Sequence, residues 1–205
     1  MNVAIEGSGP TALMLALTQF ASGANVSLFE KQSSEYERRQ VIRLDPVWMA
    51  QLEFYLGQKF LDLFGEKGRP GKGTIRSDGY GEIAIHRLQE ALSRRVEELM
   101  ARHDKLSSKS GEPQKNKVER FAAYEMTSVE DSEGGYIVKA KDDLKPEAAI
   151  SRPVDMVICA SDDKSPIRKQ YFKDKTVKGT GSYGICSWEG SKEQPITNDL
   201  SLIHI

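Results

Sequence analysis

Apolar positions along the chain fall into short runs and spaced stripes, and each spacing predicts an element. Val3-Ala4-Ile5 is a continuous run that predicts a strand, and the apolar stretch over residues 13–20 predicts a helix. After a turn at Gly23, Val26-Ser27-Leu28-Phe29 predicts a second strand, closed by Glu30. Residues 32–39 are polar and read as a loop, and residues 40–45 return to a strand-like alternation. Pro46 opens a helical pattern with Met49, Leu52 and Leu56 inward, and residues 58–64 read as another short helix. Residues 65–73 hold four glycines, a proline and no apolar side chain, so an exposed loop is expected there. Residues 74–76 and 83–85 flank a turn at Asp78-Gly79, as in a hairpin. Residues 86–102 form the clearest amphipathic helix, with Leu88, Leu92, Val96 and Leu99 on one face. Residues 105–117 are a low-complexity polar segment, expected as a flexible loop. Residues 118–129 and 135–141 read as an antiparallel pair around Gly134-Gly135, and residues 142–152 as a polar connector. The apolar run over residues 154–160 is expected to be a central parallel strand covered on both faces. Residues 165–172 predict a short turn or helix, and residues 176–188 a glycine-broken strand region. The predicted class is α/β, with a central parallel sheet plus an antiparallel β-meander.

The first thirty-one residues carry the chemistry. Strand, Gly7-Ser8-Gly9-Pro10-Thr11-Ala12, helix, strand and acid is the layout of a dinucleotide-binding, Rossmann-like βαβ unit. Gly7 permits a tight turn off the first strand, and Gly9 lets the backbone approach a pyrophosphate that a Cβ would keep away. Pro10 suits the first helical turn, whose free N–H groups and positive dipole end face an anion. Ala12 stands where a third glycine is usual and is small enough for close packing of helix on strand. Glu30 lies 23 residues after Gly7, near the spacing at which a carboxylate accepts from ribose hydroxyls. A nucleotide-free βαβ with a glycine-rich turn is the alternative. Further along, Arg38, Arg39 and Arg43 are either a solvated loop or charge held near a pyrophosphate. His86, alone at a helix start, reads as a cap or packing residue before it reads as a catalyst. A phosphate loop over residues 65–73 lacks the GxxxxGK[ST] pattern, because Gly73 follows Lys72.

Bulk properties narrow the partners. The chain has 205 residues, 29 Lys+Arg and 30 Asp+Glu, so its net charge of −1 gives no electrostatic case for nucleic acid or an anionic membrane. No apolar run approaches the roughly 20 residues that span a bilayer, and residue 1 leads straight into the first strand. A cytoplasmic location without an export signal is therefore expected. Cys159 and Cys186 are too few for a disulfide framework, and His86, His103 and His204 form no ligand cluster, so no metal is expected.

Four segments carry a family resemblance. They are the glycine-proline turn with Glu30-Lys31, Val41-Ile42-Arg43-Leu44-Asp45-Pro46, Ile83-Ala84-Ile85-His86-Arg87-Leu88-Gln89, and residues 154–168, VDMVICASDDKSPIR. The order of elements resembles the FAD-binding domain of the class A flavoprotein monooxygenases, the p-hydroxybenzoate hydroxylase-like fold. The second and third segments are most similar to MICAL-type monooxygenase domains (V-L-H-L-W-P and I-S-I-R-Q-L-Q). The fourth looks like the family's D-x-x-V-x-A-D-G-x-x-S-x-x-R stretch.

This resemblance implies an FAD/NAD(P)-binding fold over residues 1–175, followed over residues 176–205 by the start of a truncated substrate-domain-like segment. It places the pyrophosphate at Gly7, Gly9, Pro10, Thr11 and Ala12 and the adenosine ribose at Glu30, with Lys31 and Arg39 beside it. Arg43 looks toward the flavin, His86 and Gln89 toward the ribityl chain, and the backbone of Met126 toward adenine. Ser161 and Asp162 occupy the place of the family's Asp-Gly, and the later G-D motif is not found. Two functions follow. One is an FAD-dependent, NAD(P)H-using monooxygenase or its N-terminal part, acting on a small molecule or a protein. The other is a catalytically inert, truncated flavin-fold domain that binds a nucleotide or a protein partner. No catalytic residue is assigned by either.

Overall fold

A computed structural model describes residues 1–31, 40–66, 69–110, 116–142, 145, 147–161 and 165–171. Its elements are β1 (Asn2–Glu6), α1 (Pro10–Ala21), β2 (Asn25–Glu30), β3 (Val41–Leu44), α2 (Pro46–Leu56), α3 (Gln58–Phe64), β4 (Gly65–Glu66) and β5 (Arg69–Pro70). They continue as β6 (Thr74–Ile75), β7 (Gly81–Ala84), α4 (Ile85–Ser110), β8 (Val118–Ala122), β9 (Tyr124–Ser132), β10 (Gly135–Asp142), β11 (Ala149–Val154), β12 (Met156–Cys159) and α5 (Pro166–Tyr171). The class is mixed α/β, with one parallel sheet and separate antiparallel sheets. Among the described residues the chain divides into one unit of residues 1–31 with 93–171 and another of residues 40–92.

In the first unit, β12-β1-β2-β8 form a parallel sheet, with Glu6 level with Cys159 on one side and Phe29 on the other. A parallel strand must be covered on both faces, and the sequence supplies apolar side chains to both. Val3 and Ile5 are fully buried, and α1 packs on β1 and β2 through Leu13, Met14 and Leu17. Ala4 and Phe29 point to the other face, where they join Met126, Val129, Val138, Ala140 and Val154 of the antiparallel sheet β11-β10-β9. Phe29 and Phe121 stack there with ring centroids 4.9 Å apart. Each such side chain contributes about 1.5–3 kcal/mol by leaving water.

Four expectations are revised. The apolar run at 154–160 is two strands: Val154 ends β11, Asp155 breaks the run, and among the described residues β12 is the edge of the parallel sheet instead of its centre. Asp155 makes the corner by accepting from the Asn2 N–H at 2.6 Å and donating its own N–H to Asn2 O at 2.8 Å. The segment read as a polar connector contains β11, whose Pro153 is tolerated because the strand lies at a sheet edge. Residues 118–129 are also two strands, divided at Ala123, which sits at φ 65°. β8 before it joins the parallel sheet and β9 after it the antiparallel one. The helix expected over 86–102 continues to Ser110, since Lys and Ser cost it only a few tenths of a kcal/mol each.

The second unit is built on the antiparallel sheet β3-β7-β6, in which β6 and β7 form the expected hairpin. Its core gathers Ile42, Leu44, Met49, Leu52, Leu56, Phe60 and Ile83 with Leu88 and Leu92 of α4. Asp45 caps α2 by accepting from the Trp48 N–H at 2.8 Å, a bond worth about 1 kcal/mol. The glycine-rich segment is more ordered than an exposed loop, for β4 pairs with β5 and the Gly73 N–H donates to Leu63 O at 2.7 Å. Among the described residues no helix is long and apolar enough to cross a membrane.

Candidate functional site

The turn between β1 and α1 is set by two glycines that differ in kind. Gly7 has φ 115°, its N–H donates to Phe29 O at 2.9 Å, and a Cβ there would lie 2.7 Å from Ala160 O. The fold itself therefore demands glycine at 7, through the close approach of the segment that follows β12. Gly9 has φ −64° and ψ 172°, a conformation any residue adopts, and a Cβ there would meet nothing within 4 Å. No packing partner explains glycine at 9. What its missing side chain leaves is open space directly before the first turn of α1. Pro10 occupies the start of that helix, and a helix start leaves the N–H groups of Thr11 and Ala12 without an intrahelical acceptor. Ala12 is fully buried, so its methyl group fills the helix–strand contact.

Two acids close the neighbouring strands. Glu30, at the end of β2, is 1% exposed and accepts from Arg120 Nη2 at 3.2 Å. Arg120, on β8, also donates through Nη1 to Ser93 Oγ at 2.6 Å and Glu97 Oε1 at 3.1 Å, both on α4. Glu6, at the end of β1, is 6% exposed and faces the opposite side of the sheet. It accepts from Ser161 Oγ at 2.8 Å, from Ser165 Oγ at 2.7 Å and from Cys159 Sγ at 2.7 Å. Ser165 in turn accepts from the Arg168 N–H at 3.0 Å, and Arg168 Nη1 donates to Ser161 O at 3.3 Å. Burial first, then the bond and charge of Glu6, push the Cys159 thiol up to about 11 against the partly opposing bonds of Ser165 and Ser161. Cys159 is a protonated donor in this cluster and not a nucleophile.

The other residues singled out from sequence are spread over both units. In the first, Lys31 pairs with Glu125 at 2.6 Å, and Met126 is fully buried in the core with its backbone paired to Ala140. Ser161 belongs to the Glu6 cluster, and Gly7 lies against the Ala160–Ser161 peptide. In the second, Arg43 pairs with Asp78 at 3.0 Å and lies 4.1 Å over the Tyr80 ring, while Gln89 is buried and His86 half-buried at the start of α4. Arg39 and Asp162 lie outside the described residues. Sequence reasoning missed Glu6 and Arg120. Each carried a signal: Glu6 is an acid ending an otherwise apolar strand, and Arg120 is a base two residues from buried Val118 on the same strand face.

Fit to a dinucleotide is mixed at the level of single groups. The open cradle at Gly9 and the free donors of α1 suit a diphosphate. Glu30 has the right chemistry at the right strand end, but its carboxylate is enclosed and already held by Arg120. Among the described residues no group of His, Cys, Asp and Glu could hold a metal ion.

No family model and no curated protein matches the chain. Solved structures do. An anhydrotetracycline hydroxylase, OxyS from Streptomyces rimosus, matches at 20% identity and TM-score 0.55, over 82% of this chain and 33% of its own. The flavin-dependent monooxygenase PieE, solved with FAD and substrate, matches at 15% identity and TM-score 0.60, over 83% of this chain and 32% of its own. The p-nitrophenol 4-monooxygenase PnpA from Pseudomonas putida DLL-E4 matches at 13% identity and TM-score 0.56, over 91% and 45%. The resemblance to p-hydroxybenzoate hydroxylase-like class A domains, and to MICAL-type domains within them, is corrected by these matches. The similar folds are those of an anhydrotetracycline hydroxylase, a p-nitrophenol monooxygenase, a Diels-Alderase and a tetracycline destructase. The short motifs misled because a glycine turn, a proline at a helix start and an acid at a strand end recur across dinucleotide-type βαβ units and do not single out one family. At these identities the matches show the fold, and the chain spans about a third to under a half of the length of these flavin monooxygenases and hydroxylases.

Proposed function

We propose that this chain is a flavin-binding, oxidoreductase-like domain whose Rossmann-like unit holds FAD. The observation that carries the proposal is Gly9, a glycine with an ordinary backbone conformation and no internal neighbour, standing before the open N-terminus of a twelve-residue helix. A diphosphate supplies the missing reason for that glycine. In this reading the N–H groups of Thr11 and Ala12 donate to the pyrophosphate, Gly7 and Gly9 let the backbone approach it, and Glu30 accepts from the adenosine ribose. Lys31 and the backbone of Met126 line the adenosine end, and residues 1–175 form the binding domain. The bound flavin supplies the redox chemistry, and the protein supplies position and exclusion of water. NAD(P)H as reductant, and hydroxylation of a small molecule, are the extension of this reading to a longer protein. Its support is the likeness to monooxygenases of which this chain spans a third to under a half.

A second reading is an inert flavin-fold domain that binds a nucleotide or a protein partner. It is favoured by the enclosure of the Glu30 carboxylate, which is 1% exposed. The absorption spectrum of purified protein, before and after incubation with FAD, tests the first reading. Bound flavin is expected, and a colourless protein that takes up no added FAD contradicts it. NADPH oxidation by the flavin-loaded chain tests the extension to NAD(P)H chemistry, since turnover is expected of that extension and not of the inert domain.

A further inference from the structure

We infer that Arg120 is a positioning residue for ribose recognition, acting through Glu30, and this rests on the cofactor reading above. A carboxylate that is 1% exposed is strongly disfavoured unless a cation and further hydrogen bonds accompany it. Arg120 supplies the cation and one such hydrogen bond from the adjacent strand. Its Nη2 reaches Glu30 Oε2 at 3.2 Å. Its Nη1 is tied to Ser93 Oγ at 2.6 Å and Glu97 Oε1 at 3.1 Å, so the guanidinium is fixed at its other end by α4. The parallel register places Leu28 beside Arg120 and Glu30 beside Ala122, which puts both charged side chains on the same face, two residues apart in register. A guanidinium held by Ser93 and Glu97 fixes the position of the donor that meets Glu30 Oε2, which a flexible ammonium does not. With Oε2 held, Oε1 is left in a set direction for accepting from a hydroxyl, and each accepted bond depends on that direction. The hydrogen bonds of Arg120 go to Glu30, Ser93 and Glu97, so its effect is expected at the ribose end.

The test is the ratio of affinities for ADP and 2′-deoxy-ADP, measured by calorimetry on the whole chain. Wild type is expected to prefer ADP by about tenfold, the scale of one hydrogen bond to a charged group. Arg120→Met is expected to bring the ratio near one while leaving 2′-deoxy-ADP affinity within about twofold, a selective loss that a merely structural role would not give. Arg120→Lys is expected to reduce the ratio, because an ammonium cannot span Glu30, Ser93 and Glu97 together. Should Arg120→Met fail to fold, as read by circular dichroism, the Arg120→Lys ratio decides. A folded variant whose ratio equals that of wild type overturns this inference alone. A wild type that binds neither nucleotide overturns the cofactor reading and this inference with it.

Discussion

Gly7 and Gly9 sit two residues apart in one turn, yet their reasons for being glycine are unrelated, and substitution separates them. Gly7→Ala forces a Cβ into a φ of 115° and to within 2.7 Å of Ala160 O, so it is expected to destabilise the fold by roughly 2 kcal/mol or more. Gly9→Ala meets nothing and is expected to change stability by no more than about 0.5 kcal/mol. Urea unfolding of the two variants checks both. Glu6 makes a second prediction at this scale. Its bond and charge assist burial in raising the Cys159 thiol to about 11, so the folded chain holds that proton more tightly than the unfolded chain. The stability this contributes is present below the ordinary thiol value of 9.0 and is lost as pH rises toward 11. In a Cys186→Ser background, iodoacetamide labelling of Cys159 at about pH 8 is expected to be slow. Glu6→Gln is expected to speed it without reaching the rate of a free thiol, because burial, the largest cause, remains. A labelling rate unchanged by Glu6→Gln contradicts the role given to Glu6.

The connection between β8 and β9 turns on one residue at the element scale. Ala123 bears a left-handed backbone at φ 65° and is 9% exposed, and at this point the chain leaves the parallel sheet for the antiparallel one. A β-branched side chain is poorly accommodated there, so Ala123→Val is expected to cost about 1–2 kcal/mol while Ala123→Gly is nearly neutral, both read from the unfolding midpoint. This corner also shows what the sequence could not reveal. Residues 118–129 carry one strand pattern without a glycine or proline, so nothing local marks a corner made by an alanine at positive φ. The same is true of 154–160, where the break falls on Asp155 inside an apolar run. By contrast, β1, α1 and β2 were legible because period, turn glycine and proline agree on a single reading. At the candidate site, the turn positions of Gly7 and Gly9 and the strand-end position of Glu30 were legible from spacing alone, while their part in binding is the proposal. Glu6 and Arg120 were not, since a buried charge becomes meaningful only when its partners, distant in sequence, are known.

At the scale of the whole molecule, one core joins the parallel sheet to the antiparallel sheet through Ala4, Phe29, Met126, Val138 and Val154. Phe29→Ala removes a fully buried ring stacked on Phe121, and a loss of about 3–5 kcal/mol is expected in equilibrium denaturation. Phe54→Ser, at a ring 79% exposed on α2, is expected to change stability by less than about 0.5 kcal/mol. If the two variants unfolded alike, that core assignment would be wrong. The shared fold spans most of this chain and only a third to under a half of the monooxygenases it is similar to, so cofactor binding and substrate oxidation are separate questions for it. In the proposed reading, binding depends on the turn, α1 and Glu30, all within the first thirty residues.

The most direct test of that claim is an equilibrium titration of the wild-type and Gly9→Ala chains with FAD, followed by quenching of flavin fluorescence. The account predicts saturable binding by wild type and at least about a tenfold loss in Gly9→Ala, equivalent to 1.4 kcal/mol, with the unfolding midpoint unchanged. Absence of saturable binding in wild type, or equal affinity in the two chains, would contradict it.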